Sequence, residues 1–266
     1  MDKKKDRIWI VPRNDAEALE IINILDVNNE NYVCTGQKWG ASWSGLEEDI
    51  LIHIKKECEN CRIIYGVELC GPFPKFGKCQ YKNIDHHRYG DEDRYNSESS
   101  IEQTARILNI QLTRFQKLIS INDVDWIPGL IRAGATDEEI KAVRTMDRKA
   151  QGITERDELQ AEIDINKAEW LNEHKCLLYC PGGQTSAHTD RLFGKYKELL
   201  SIGPNRNDPS QNEINYYGPV GKIETLNKMR FPYKHWSGGG KTDGFFGIIT
   251  DEKKIVDRII SFFKKD

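Results

Sequence analysis

Apolar positions along the chain fall into short β-type runs, each followed by a helical pattern. Arg7-Ile8-Trp9-Ile10-Val11 is rich in β-formers, and a polar turn leads from it into Ala16 to Leu25, apolar at 18, 21, 22 and 25. Strand, tight turn and helix in that order open a parallel α/β sheet. The pattern repeats with strands at Asn31–Thr35, Cys61–Leu69 and Gln80–Ile84, and with an amphipathic helix over Leu46–Glu57. Ser99 or Ser100 caps a helix to Leu108, with Glu102 in its first turn. Helices are predicted over Thr113–Ser120 and from Thr136 to about Asp147, with a loop through Ile121–Gly129 between them.

From Thr154 to Glu173 the chain is strongly charged and carries one thin apolar stripe, Leu159, Ile163 and Leu171, which reads as a connecting helix. A new α/β pattern follows: a strand at Lys175–Cys180, a helix over Thr189–Leu200, a polar loop over Gly203–Glu213, and a closing helix over Lys253–Phe263. The expected architecture is α/β, with a parallel-sheet domain and flanking helices over 1–150. A linker helix over 151–174 and a smaller α/β domain over 175–266 complete it.

Composition narrows the function. Of 266 residues, 38% are hydrophobic, enough for a real core, and 39 basic against 42 acidic residues leave a net charge of −3. That balance argues against a generic basic nucleic-acid coat. No run approaches the ~18 apolar residues of a membrane span, and no apolar leader follows Met1, so a cytoplasmic protein with no membrane partner is expected. Seven cysteines, an odd number, argue against a disulfide framework. Cys58, Cys61, Cys70 and Cys79 can be drawn as a zinc site, but reduced core or surface thiols are the preferred reading.

Candidate chemistry gathers at predicted element ends in the first half. Asp15, Glu17, Glu68, Asp85, His86, His87, Asp123 and Asp125 all fall there. Asn14 or Asp15 also suits a helix cap, and a buried Glu68 is either salt-bridged or liganding. Carboxylates with one or two imidazoles suit hard-to-borderline divalent ions, Mn²⁺ or Mg²⁺, one or two of them, better than thiolate-type zinc. Two such ions about 3.5–4 Å apart activate water against a phosphoryl group. In the second half, Gly238, Gly239 and Gly240 leave backbone N–H groups open to an anion, and Lys241 adds a point charge, a pattern suited to clamping phosphate. Trp39-Gly40-Ala41-Ser42-Trp43, an aromatic loop at a strand end, reads first as packing and second as a base-stacking platform.

Ile84-Asp85-His86-His87, the capped helix Ser99-Ser100-Ile101-Glu102 and Ser237-Gly238-Gly239-Gly240 together resemble the DHH phosphoesterases, in order and spacing, over essentially the whole chain. That resemblance implies metal ligands at Asp15, Glu17, Glu68, His86 and Asp123, with Asp123 preferred over Asp125. It implies catalytic roles for Asp85, His86 and His87, the second histidine lying close to substrate. It implies substrate contacts from Arg13, Arg230, Gly238, Gly239, Gly240 and Lys241. The chain departs from the family pattern at Arg13 and Val11, where the family has His or Asp, at Glu17 and Glu68 for Asp, and at Lys241 for His.

The expected activity is metal-dependent phosphoester hydrolysis in an interdomain cleft, on a phosphorylated small molecule such as a nucleotide or on a short nucleic acid. The alternatives are a non-hydrolytic descendant binding a phosphorylated ligand or a protein, and a zinc-stabilised interaction protein. Oligomeric state is left open.

Overall fold

The computed structural model describes residues 6–38, 40–60, 62–77, 79–87, 96–181, 185–205, 207–233, 235–239 and 242–265. The chain divides into two compact units, Met1–Gly152 and Ile153–Asp266.

In the first unit the elements run β1 (Arg7–Pro12), α1 (Ala16–Val27), β2 (Tyr32–Thr35), α2 (Glu48–Glu59), β3 (Ile63–Val67) and β4 (Gln80–Ile84). Then come α3 (Ser100–Leu108), α4 (Arg114–Arg132) and α5 (Asp137–Ala150). The four strands form one all-parallel sheet in the order β2-β1-β3-β4. Side chains along a strand alternate between faces. Trp9 and Val11, with Tyr65 and Val67, accordingly pack under α1 and α3, against Ile21, Leu25 and Ile101. Ile8 and Ile10, with Ile64, face the other way onto Ile50 and Ile54 of α2 and onto Trp43. A strand covered on both faces needs an uninterrupted apolar run, which is why β1 and β3 have one. Helices α4 and α5 pack on the start of α1 through Ala16, Leu118, Ile119, Leu130 and Val143.

The second unit contains α6 (Glu155–Ile165), β5 (Glu169–Asn172), β6 (Lys175–Tyr179), α7 (Ser186–Leu192), β7 (Glu198–Pro204) and β8 (Asn212–Pro219). It closes with α8 (Val220–Lys228), β9 (His235–Gly239), β10 (Asp243–Thr250) and α9 (Lys253–Lys264). Its sheet is mixed, in the order β5-β6-β7-β8-β10-β9, with only β6 and β7 parallel. One face is covered by α8 and α9, where Leu226, Ile259 and Phe263 meet Leu200, Tyr216 and Phe246.

Three local expectations are corrected. The stretch 189–200 is not one helix: α7 stops at Leu192, and Leu199 and Leu200 lie fully buried in strand β7, because an apolar run covered on both faces is satisfied only inside the sheet. The span 151–174 is helical only over Glu155–Ile165; Ala161 and Asp164 are buried within the second unit, and β5 pairs with β6. The stretch 121–129 continues α4 across a kink at Asp125 and Trp126, with Pro128 just beyond it.

Cys58 and Cys79 are joined as a disulfide, with Cα atoms 4.9 Å apart, so the reading of these two as reduced thiols or as half of a four-thiolate zinc site is also corrected. Cys70 is free, and Cys61 lies outside the described residues. Among the described residues no helix is long and apolar enough to cross a membrane.

The close approach of β3 to the Trp43 ring has a consequence for stability. A Cβ on Gly66 would overlap the indole, which is 1% exposed and also packed edge-on against Phe73 and Tyr81. Gly66→Ala is expected to destabilise the first unit by about 1–3 kcal/mol, the usual cost of overpacking, read as a lower urea midpoint with an unchanged slope.

Candidate metal centre

In an open parallel sheet the strands' carboxyl ends leave a crevice where ligands bind. Here β1 leads to Asp15, β3 to Glu68 and β4 to Asp85-His86-His87, while α4 brings in Asp123. The four side chains Glu68, His86, His87 and Asp123 each offer a ligand atom within 4.8 Å of all the others. His86 Nε2 lies 2.6 Å from Asp123 Oδ2 and 3.6 Å from Glu68 Oε1. Both His86 Nε2 and Asp123 Oδ2 are buried, and despite their closeness neither has a hydrogen-bond partner. Buried polar atoms that meet only as charges, with no hydrogen bond made, are rare and ask for an explanation. Two imidazoles and two carboxylates aimed at one point form a donor set that a borderline divalent cation satisfies.

The remaining acids support this group from its edges. Asp85 is 1% exposed and takes the backbone N–H of His87 at 2.8 Å, with His87 Nδ1 3.1 Å from the same oxygen. It orients the second histidine. Asp15 caps α1 by accepting the Ala18 N–H at 2.8 Å, so the bland role assigned to it is real. It also lines the same cleft as Glu68, His87 and Asp123. Glu17 is buried beneath and accepts the Ile101 N–H at 3.0 Å. Glu68 accepts from Ser100 Oγ at 2.9 Å and sits at φ +51°, a left-handed backbone that a β-carbon disfavours.

Burial pushes the Asp15 carboxyl up to about 7, with the Asp123 charge adding to the effect. Burial and then Asp123 also hold Glu17 and Glu68 well above the carboxylate range. The His87 imidazole is raised as well: burial lowers it, but the Asp85 hydrogen bond and the Asp123 and Asp85 charges outweigh that. The carboxyl shifts mark burial first and neighbouring negative charge second, and a proton or a cation relieves both.

Other expected residues are placed differently. Asp125 is 46% exposed and paired with Arg132 away from this group, so of the two acids on α4 it is Asp123 that joins the cluster. Arg13 is exposed, and its charge is felt by Cys34 and Tyr32. In the second unit Arg230 is exposed at φ +50°, and Gly238 and Gly239 form part of β9, the last strand of its sheet. Gly240 and Lys241 lie outside the described residues, as does Trp39. Trp43 is buried in the core.

Residues that sequence reasoning passed over line the cleft, a cavity of about 290 Å³. Arg144 donates through NH1 to Asn122 Oδ1 at 2.9 Å and to Asp147 Oδ2 at 2.7 Å. Asp147 in turn accepts from the Ala16 N–H at 3.2 Å, fastening α5 to the turn that carries Asp15. The available signal was polar residues at 144, 147 and 148 beside Val143 on one helical face, where an apolar stripe would continue.

The raised carboxyls make a stability prediction for the metal-free protein. A folded pKa above the unfolded one means the folded state holds its proton longer, so stability falls as pH rises from about 4 to about 7 and beyond. Asn caps a helix as well as Asp, so Asp15→Asn removes the charge and keeps the cap. The variant is expected to be more stable than wild type by roughly 1–3 kcal/mol near pH 8, the gap closing only near pH 4. Thermal melts in chelator across that range read it directly.

No protein-family model matches the chain, and no curated protein matches it by sequence. Nine chains of solved structures match it in fold. One is a DHH-domain protein described as a member of the s1p family of ribosomal proteins, with 11% identity and a TM-score of 0.56 over 98% of this chain and 86% of that one. Another is a pGpG-specific phosphodiesterase from Vibrio cholerae, with 11% identity, 98% of both chains covered and a TM-score of 0.39, too low to weigh. The likeness that carries weight is the first, and it shows that this chain has the fold of a DHH-domain protein.

Proposed function

We propose that this protein is a divalent-metal-dependent phosphoester hydrolase acting on a nucleotide, a short oligonucleotide or a related phosphoester. The observation that carries the reading is the pair His86 Nε2 and Asp123 Oδ2, 2.6 Å apart, buried, without hydrogen-bond partners, and joined by Glu68 and His87 in one ligand group.

In this reading His86, Asp123 and Glu68 hold the ion, with Asp15 and Glu17 completing the negative surroundings. Two carboxylates and an imidazole favour Mn²⁺, with Mg²⁺ the harder alternative. A bound ion of this kind activates water and neutralises charge on a phosphoryl group. His87 serves substrate: Asp85 holds its Nδ1, which leaves proton exchange with a leaving oxygen to Nε2. Within the second unit, Gly238, Gly239, Gly240 and Lys241, with Arg230, are the candidates for binding a phosphate. Support for that part is that β9 ends its sheet, so one row of its backbone groups is not used in pairing with β10.

Variants separate the roles. His86→Ala and Asp123→Ala are expected to lose Mn²⁺ binding by calorimetry and to lose turnover of a phosphodiester panel. His87→Gln should keep Mn²⁺ binding within a few-fold while kcat falls about 10²–10⁴-fold, the span of general acid–base contributions. A wild-type protein that takes up no divalent ion and cleaves no phosphoester would overturn the reading in favour of a non-hydrolytic binder.

A further inference from the structure

The cleft beside the ligand group contains one feature that metal binding and phosphate chemistry leave unexplained. Trp126 lines it together with Asp123, His87, Asn14 and Asn122. Its backbone is at φ +50°, ψ −147°, at the point where α4 kinks three residues after Asp123. Glycine occupies that region readily and a residue with a β-carbon does so at a cost, so a large side chain there calls for a reason. Core packing does not supply that reason. Ile127 and Leu130 on the same helix are buried at 4% and 0%, whereas Trp126 is only partly covered. The Arg144 guanidinium lies over the indole at 5.8 Å, a cation–π contact that fixes the ring.

A second observation is independent of the ring. Asn14 Oδ1 is buried and without a hydrogen-bond partner, and Asn14 lines the same cleft. The Asn14 amide beside the cleft carries both donor and acceptor capacity, whereas a phosphoryl group supplies mainly acceptors. A nucleoside has both things required: a π-face for the indole, and hydroxyl or exocyclic amino donors for an amide oxygen. A cavity of about 290 Å³ also stands near the lower limit of about 300 Å³ for small-molecule sites, room for a single nucleotide unit.

We infer that Trp126 is the residue that selects a nucleobase, stacking the base of a nucleotide whose phosphate lies at the Glu68–His86–Asp123 group. The inference rests on the proposed hydrolase for the phosphate position only; the stack itself requires no ion. It makes the preferred substrate a terminal nucleotide unit and disfavours inorganic pyrophosphate and base-free phosphoesters.

The test compares AMP with ribose 5-phosphate, which lacks only the base, by calorimetry on the full chain with Mn²⁺ present. Wild type is expected to bind AMP at least about tenfold more tightly, the contribution of one base–aromatic stack. Trp126→Ala should erase that preference by weakening AMP alone, and Trp126→Phe, which keeps a ring, should retain most of it. Mn²⁺ uptake serves as the control for an intact site. If Trp126→Ala loses uptake too, Trp126→Leu, which fills similar space without a π-face, decides in its place.

Equal affinity of wild type for the two ligands, no binding of AMP, or an equal loss of both ligands on removing the ring would overturn the inference. Any of these results with Mn²⁺ uptake and phosphoester turnover intact leaves the hydrolase standing. Conversely, a base preference that vanishes in Trp126→Ala supports the stack even if wild type takes up no Mn²⁺ and cleaves nothing, the outcome that sinks the hydrolase alone.

Discussion

Burial of a group of neighbouring carboxylates, with repulsion among them added, is the constraint around which the first unit is arranged. Asp15, Glu17, Glu68 and Asp123 lie close enough that the Asp123 charge raises each of the other three, and burial removes the water that would screen them. Like charges confined this way are tolerated only with a proton or a cation among them. Arg144 is engaged with Asp147 and Asn122 at the cleft wall, and Arg13 is exposed beside Cys34 and Tyr32. Among the described residues the basic groups of the ligand cluster are His86 and His87, themselves ligand types. Crowding of this kind costs stability at neutral pH, the kind of local cost commonly found at functional sites.

The sheet makes such crowding possible. Strands β1, β3 and β4 run parallel, so their carboxyl ends open on one edge, and the apolar layers on both faces hold those ends in register. Glu68 continues the β3–β4 pairing through its N–H to Ile84 O at 2.8 Å while adopting a left-handed backbone. Ser99 and Glu102 close a capping box at the start of α3, which places Ser100 Oγ on Glu68 and the Ile101 N–H on Glu17. Helix α5, remote in sequence, fastens the first turn of α1 through Asp147. Rigid elements thus set each acid, and the kink in α4 carries Trp126 to the same cleft as Asp123.

Much of this was legible in the residues themselves. Strands β1 to β4, the helices between them and the cap at Ser99 follow from apolar periodicity and cap chemistry, which are local properties of consecutive residues. Glu68, His86, His87 and Asp123 were visible as acids and imidazoles at element ends. Apolar residues near a helical pattern are ambiguous between helix and strand, so the start of β7 was misread as the end of a helix.

The sequence by itself determined that a parallel sheet would gather acids and histidines at its carboxyl edge, because the alternation of strands with helices follows from pattern and puts the strand ends on one side. Tertiary structure alone decided which of them meet. It separated Asp123 from Asp125, two residues apart on either side of a kink's onset, and it moved Arg13 out toward Cys34. It joined Cys58 to Cys79 and brought Arg144, Asp147 and Trp126 to the cleft. Those outcomes depend on distances between segments far apart in the chain and on where a helix bends, and no local periodicity encodes either.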